Sequence, residues 1–379
     1  MSDQTPKYVL VENHIKSAIK KKQLVEKLPG ERTLAQQLGV SYMTIRKSIE
    51  NLVSQGVLYK VPMKGTFVNH NKIQRRKNKT IGYFLDASMI DGISSPYYSL
   101  IFNAIEKVAA KEDYSVVYFS ENNVDSLDRT LSKLDGVIAT CFPRMEGVIL
   151  KIKQSVPIVV IDNSAADKTI PSVIIDNFNA DVESVDYAVS LGHSCIGFMT
   201  GLEDSDIGKS RYAGYQHGLS KNGITLDETL VFRGNYSYRA GIEGAEYFLS
   251  LKSLPTALIC ANDSMALGAI QRFSQEGLSI PNDISIIGFD NIQVASQIVP
   301  SLTTIAAPIQ DIAKHAFSIL TDLIDGKTIE HQHIALPAHL IKRGSCGPAK
   351  SQVITNSTIT PMFQTIDTSK QAKDQLNPQ

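Results

Sequence analysis

Two phrases near the start of the chain, Leu28-Pro-Gly-Glu-Arg-Thr-Leu-Ala35 and Gly39-Val-Ser-Tyr-Met-Thr-Ile-Arg46, carry side chains of the kind that recognise DNA. Ser41 can cap a helix, because its hydroxyl accepts a bond from an amide of the first turn. Ile45, Ile49, Leu52 and Val53 then share one face, and the same periodicity turns Tyr42, Thr44, Arg46 and Lys47 outward near the helix start. Hydroxyls and cations placed there reach base edges and phosphates from a recognition helix in the major groove. A single exposed Arg or Lys is ordinarily a solvated charge. The spacing of the whole phrase is what raises these residues above that reading.

The elements that must position them follow from the surrounding pattern. Val11, Ile15, Ala18 and Ile19 form a helical stripe within 8–19, with Lys16 and Lys20 to Lys22 left outside. Pro29 stops the chain before a second, short helix over 31–38, and Gly39 can take the left-handed geometry that ends it. Two β-prone runs, 57–61 and 66–68, joined by Pro62-Met-Lys-Gly65, predict a hairpin that forms a wing carrying Lys64. Charge supports the reading. Residues 1–79 hold 16 Lys and Arg against 5 Asp and Glu, and the remainder 22 against 33, so a part at +11 adjoins a body at −11. A basic end on an acidic body suits a segment that meets phosphates.

The three motifs, in this order over about sixty residues, resemble the winged helix-turn-helix of the GntR family. That resemblance implies DNA contact by Arg32, Ser41, Thr44, Arg46, Gly65 and Thr66. Two departures, Tyr42 in place of the usual recognition-helix arginine and Met63 in place of the first wing glycine, imply a different operator preference. The polar, basic stretch 70–79 reads as a linker.

Beyond it, compact apolar runs at 80–85, 115–119, 136–139 and 158–161 alternate with helical patterns at 98–111 and 145–153. A second series repeats this grammar from 179 to 289. Such runs predict parallel sheets covered on both faces, in two α/β lobes with a ligand cleft at their strand ends. Asp162 stands at the end of one such run.

Several phrases here resemble the effector domain of LacI/GalR repressors, itself built like a periplasmic sugar-binding protein. They include Asp176-Asn177, Leu191-Gly-His-Ser-Cys-Ile-Gly-Phe198, Ser210-Arg-Tyr-Ala-Gly-Tyr215, Ala261-Asn-Asp-Ser-Met-Ala-Leu-Gly268 and Ile280-Pro-Asn-Asp-Ile-Ser-Ile-Ile-Gly-Phe-Asp290. The resemblance implies three crossings between lobes, near 175–178, 302–308 and 333–337. It also implies an effector site in which Arg211 and Asn262 donate, Asp290 accepts, and Tyr97, Phe178 or Tyr236 pack on the ligand, with Asp162 from the first lobe. Each has an ordinary alternative: Asp290 as a cap, Arg211 as half of a surface ion pair, the aromatics as core. The segment 120–134 is shorter than the family's usual helix-bearing connection, a departure that leaves its local structure open. Joined to a GntR-type head, this body resembles the arabinose-repressor subgroup.

Other classes lose support. No Gly-rich phosphate loop occurs, and His193-Ser194 lacks a nucleophile elbow, so no enzyme is expected. Four scattered cysteines argue against a disulfide framework or a zinc site, and no metal or cofactor is expected. Without an apolar span or leader, the expected location is the cytoplasm. The fold class is thus an N-terminal winged helix-turn-helix (1–69), a basic linker (70–79), a bilobal periplasmic-binding-protein-like effector and dimerisation domain (80–345) and a disordered tail (346–379). The function expected is a homodimeric repressor of carbohydrate-use genes that binds a roughly palindromic operator and is released by a small sugar such as L-arabinose. The alternatives are a regulator with a corepressor such as a purine, and a bilobal ligand-binding protein or enzyme without regulatory function.

Overall fold

The computed structural model describes residues 6–20, 23–24, 26–54, 56–62, 64–68, 78–86, 91–120, 124–140, 142–329 and 332–350. Met63, most of the expected linker and residues 351–379 lie outside the described residues. The chain falls into two units, Met1–Asn78 and Lys79–Gln379.

In the first unit, α1 (Lys7–Lys20), α2 (Glu31–Leu38) and α3 (Tyr42–Ser54) enclose a core of Val11, Ile15, Ile19, Leu28, Leu34, Ile45, Ile49 and Leu52. Gly39 ends α2 at φ 63°, and its amide returns to the carbonyls of Ala35 and Gln36. Strands β1 (Leu58–Val61) and β2 (Gly65–Val68) pair antiparallel and close on Val61 opposite Gly65. The stretch 26–28 adds to the free edge of β2: the Leu28 amide donates to the Thr66 carbonyl and the Val68 amide to the Glu26 carbonyl. The wing is thereby tied to the chain just ahead of α2.

The second unit holds two six-stranded sheets. In the N-lobe, β3 (Thr80–Phe84), β4 (Ser115–Phe119), β5 (Gly136–Thr140), β6 (Ile158–Ile161), β7 (Ser172–Ile175) and β13 (His333–Leu336) run in the order β13-β7-β6-β5-β3-β4, all parallel. The apolar runs of the four inner strands, β3, β5, β6 and β7, are largely buried, as expected when α4 (Pro96–Ala110), α5 (Val124–Leu131), α6 (Glu146–Ser155) and α11 (Ile309–Ile324) cover the sheet, while the edge strands β4 and β13 stay partly exposed. The C-lobe sheet is built from β8 (Ile196–Met199), β9 (Val231–Phe232), β10 (Ala257–Cys260), β11 (Ser285–Asp290), β12 (Thr303–Ala306) and β14 (His339–Ile341). Its order is β14-β12-β11-β10-β8-β9, with only β14 antiparallel. The chain crosses from β7 into α7 (Asn177–Ser190), from β12 into α11, and from β13 into β14, at the three places the resemblance implies.

One open point is resolved and one expectation is corrected. The 120–134 segment does carry a helix, α5, because Leu127 and Leu131 recur at helical spacing and bury against Val137 and Ile149. The body also continues past 345. The Gly347 carbonyl faces His193 Nε2 at 3.0 Å and accepts from Ser285 Oγ at 3.2 Å, the Ala349 amide donates to the Leu191 carbonyl, and Lys350 pairs with Asp283. His193, joined also to Thr256, is a structural pin for that segment.

Helices α9 (Tyr238–Ser250) and α10 (Asp263–Gln275) approach through reciprocal glycines. A Cβ on Gly241 would lie 2.1 Å from the Met265 carbonyl oxygen, and one on Gly268 2.2 Å from that of Tyr238. Gly268→Ala must push backbone away from backbone. The expected loss is about 1–3 kcal/mol of stability by urea unfolding, and an unchanged midpoint would show that the helices do not bear on each other as described.

Candidate functional site

At the carboxyl ends of both sheets, a cavity of about 220 Å³ opens between the lobes. Six of the seven sequence-predicted effector residues line it: Tyr97, Asp162, Arg211, Tyr236, Asn262 and Asp290. Phe178 does not. Its ring packs on His217 with centroids 5.3 Å apart, and its carbonyl oxygen would lie 2.3 Å from a Cβ on Gly214 of α8 (Asp206–Lys221). The reason is helical rotation: Asn177, one position earlier in α7, lines the cavity, and the next side chain turns away by about 100°.

Arg211 is the buried cation of the site. Its Nε donates to Asn177 Oδ1 at 2.8 Å, its Nη1 donates to the Ala261 carbonyl, and its guanidinium lies 3.4 Å above the centre of the Phe289 ring. From the N-lobe, Asp162 Oδ1 accepts from the Tyr97 hydroxyl at 2.7 Å, while the buried Oδ2 has no partner. Burial pushes the Asp162 carboxyl up to about 6, against the opposing pull of the Tyr97 hydrogen bond and the Arg211 charge. Burial raises Asp290 well above the usual carboxylate range; Arg211 opposes this, and the charges of Asp263 and Asp162 add to it. Asn262 is partly committed already. Its Oδ1 accepts from the Met265 amide to cap α10, and its Nδ2 donates to the Tyr236 carbonyl, both at 2.9 Å.

Sequence reasoning missed Asn177, Tyr98, Phe142 and Arg144 in the cavity wall. Asn177 lay inside a quoted phrase, and Tyr98 is next to Tyr97. Phe142 and Arg144 follow β5 and gave no signal without the topology. Arg144 Nε donates to the buried Asp86 at 2.7 Å.

In the first unit, Ser41 Oγ accepts from the Thr44 amide at 3.1 Å and sits 2.8 Å from the Thr44 hydroxyl, as the capping pattern requires. Arg32, Tyr42, Arg46, Lys47, Lys64 and Gly65 are exposed. Arg46 Nε bonds Glu50 at 3.1 Å, and Lys47 Nζ stands 4.3 Å from the centre of the Tyr8 ring. Thr66 is the exception at 9% exposure: it faces the core beneath the wing, because alternate residues of β2 point inward. Met43, beside Tyr42, is 66% exposed, although an apolar side chain at a helix start reads as core by composition alone.

Known proteins resemble this chain in both parts. The profile "Bacterial regulatory proteins, gntR family" matches residues 7–68, and "Periplasmic binding protein-like domain" matches 185–346. The HTH-type transcriptional repressor CytR of Escherichia coli (strain K12) is 30% identical over 330 residues, 83% of this chain and 95% of that protein. The HTH-type transcriptional repressor PurR of Vibrio atlanticus is 28% identical over 279 residues, 70% of this chain and 81% of its own length. A LacI family transcriptional regulator from Enterococcus faecium, solved with bound ribose, matches at a TM-score of 0.64 and 26% identity, over 72% of this chain and all of that one. A winged head on a bilobal, parallel-sheet body defines a transcriptional regulator of modular build. The chain belongs to the LacI family of DNA-binding transcriptional regulators. These relatives are regulators, not enzymes.

Behind Arg211, Asp181 is fully buried with Oδ2 unpartnered, and burial pushes it up to about 7 despite the nearby guanidinium. An unfolded Asp titrates near ~3.9, so the folded state binds more protons between that value and about 7. Stability from this group is therefore present below about pH 4 and lost as pH rises through the folded value. Asp181→Asn is expected to narrow the gap between calorimetric midpoints at acid and mildly alkaline pH, mainly by raising the alkaline one. An unchanged gap would place the pH dependence elsewhere.

Proposed function

We propose that this regulator represses carbohydrate-use genes and leaves its operator when a small sugar, an aldopentose such as L-arabinose, binds the cleft. The observation that carries the reading is the cavity itself: acceptors from both lobes, Asp162 and Asp290, stand near one buried guanidinium, with Tyr97, Tyr98 and Tyr236 for an apolar ring face. Polyols need paired donors and acceptors around their hydroxyls, and a site built that way rejects analogues lacking them. The cavity volume lies just under the roughly 300–1,000 Å³ of drug-sized pockets, which favours a single sugar ring. The ribose-bound relative agrees with this class of ligand. The aromatic walls also suit a planar base acting as corepressor, and the sign of the change in operator affinity separates the two. In the cleft, Arg211 donates, Asp162 and Asp290 accept, and Asn262 contributes the amide hydrogen that Tyr236 leaves free.

On the DNA side, Tyr42, Thr44, Arg46 and Lys47 read the major groove, with Arg32, Ser41, Lys64 and Gly65 on the backbone. The protein acts in the cytoplasm as a homodimer on a near-palindromic operator. Occupancy of the cleft is coupled to operator affinity by about 1–3 kcal/mol, as is typical between linked sites.

The first test is a thermal-shift screen of pentoses, hexoses, their phosphates and purines, because a ligand selective for the folded state raises its midpoint. L-Arabinose is expected to raise it, and a purine hit that tightens operator binding would replace the sugar reading. Arg46→Ala should weaken operator binding by about 1–3 kcal/mol in fluorescence anisotropy while leaving the effector-induced shift intact. Unaltered operator affinity would remove Arg46 from the reading surface.

A further inference from the structure

Asp263 follows the cleft residue Asn262 and opens α10, yet it lies behind the cavity wall, fully buried. Its Oδ2 accepts from the Ile292 amide at 2.8 Å and its Oδ1 from the Thr304 hydroxyl at 2.6 Å. These bonds fasten the turn leaving β11. There Asp290 stands at φ 110° and Asn291 at φ 58°, backbone geometry that residues with a Cβ rarely adopt. Beneath the turn, a Cβ on Gly288 would lie 2.2 Å from Asp263 Oδ1, so the strand backbone is pressed against this carboxylate.

We propose that Asp263 is a positioning residue for effector recognition: it holds Asp290 in the left-handed conformation that presents its carboxylate to the cleft. The proposal rests on Asp290 being an effector ligand, as argued above. Two strained cleft residues are then held from one dipeptide, since Asn262 donates to the carbonyl of Tyr236, itself at φ 69°. Asp263 acts on charge as well as shape. Asp290 is faced by Arg211 from α8, Asp162 beyond β6 and Asp263 from α10, and it lies near Tyr97, Tyr98 and Tyr236; Asp263 is faced by Asp290 and by Arg343. Burial raises both carboxyls, and the Asp263 charge raises Asp290 further, so that Asp290 keeps its proton above the usual carboxylate range and can donate as well as accept. An asparagine at 263 preserves the clamp, accepting from Ile292 through Oδ1 and donating to Thr304 through Nδ2, and removes only the charge.

The test uses the full-length protein with L-arabinose as calorimetric probe, and the ¹³C carboxyl titration of the ligand-free protein, with the Asp290 signal identified by its loss in Asp290→Asn. Asp263→Ala is expected to weaken binding about 10- to 100-fold, and Thr304→Val to weaken it less. Asp263→Asn should keep affinity within about threefold while moving the Asp290 titration to lower pH, a shift that a merely structural residue would not produce. Folded Asp263→Ala that binds like the parent, while Asp290→Ala does not bind, overturns the proposal and spares the site. An unmoved Asp290 titration in Asp263→Asn also overturns it. Full affinity in Asp290→Ala sinks the site reading and the proposal together. If the alanine variant does not fold, Thr304→Val and Asp263→Asn decide. Should the parent ignore L-arabinose, the pentose reading fails alone; the carboxyl titration then decides the charge effect, and the ligand that the thermal-shift screen finds replaces L-arabinose as probe of the clamp.

Discussion

The cleft between the lobes is organised by the burial of one guanidinium among several carboxyls. Arg211 gives hydrogen bonds to Asn177 at the first crossing and to Ala261 at the end of β10, and lies over the ring of Phe289 of β11. One side chain thus joins the helix that enters the C-lobe to the two strands that floor the cavity. Taking such a charge out of water costs several kcal/mol unless its donors are met and opposite charge is near. Two of its five N–H donors end on protein oxygens, and Asp162, Asp181 and Asp290 lie within reach of its field. Burial prevails over the attraction of the cation at each of these carboxyls, and at Asp290 the charges of Asp263 and Asp162 add to it. They stay raised rather than lowered, and the cleft retains one carboxylate oxygen, Asp162 Oδ2, that the protein itself does not satisfy.

Strain gathers at the same place. Asp162, Tyr236 and Asp290 all have positive φ, and each lines the cavity. Such residues cost about 1–3 kcal/mol each and persist only where neighbours over-determine them. The neighbours are identifiable: Tyr97 holds Asp162, Asn262 holds the carbonyl of Tyr236, and Asp263 holds the turn beyond Asp290. The rigid part beneath is close packing, seen where α9 and α10 meet with no space for a Cβ at Gly241 or Gly268.

Much of the fold was legible because its signals are local. The apolar runs of β5, β6, β10 and β11, the glycine after α2 and the serine before α3 each declare one element within a few residues of chain. The helix α5 was harder to read: its apolar face needs only Leu127 and Leu131, too few for periodicity to speak clearly until Val137 and Ile149 are seen to cover it. The ordered end of the body was placed too early for a related reason. Residues 346–350, Cys-Gly-Pro-Ala-Lys, carry no periodic apolar pattern, and what holds them is His193, Ser285 and Asp283, far away in sequence.

The sequence by itself determined the two-part architecture, the alternation that makes two parallel sheets, and six of the side chains that line the cavity, because periodicity, capping and motif spacing act over short stretches of chain. Only the tertiary structure decided which of them meet. It turned Phe178 and Thr66 away from the surfaces expected of them, brought Phe142, Arg144 and Asn177 to the cavity, and set Asp263 behind Asp290. The physical reason is that a side chain's direction depends on helix rotation, strand alternation and the crossing of segments distant in the chain, none of which residue type or local spacing records.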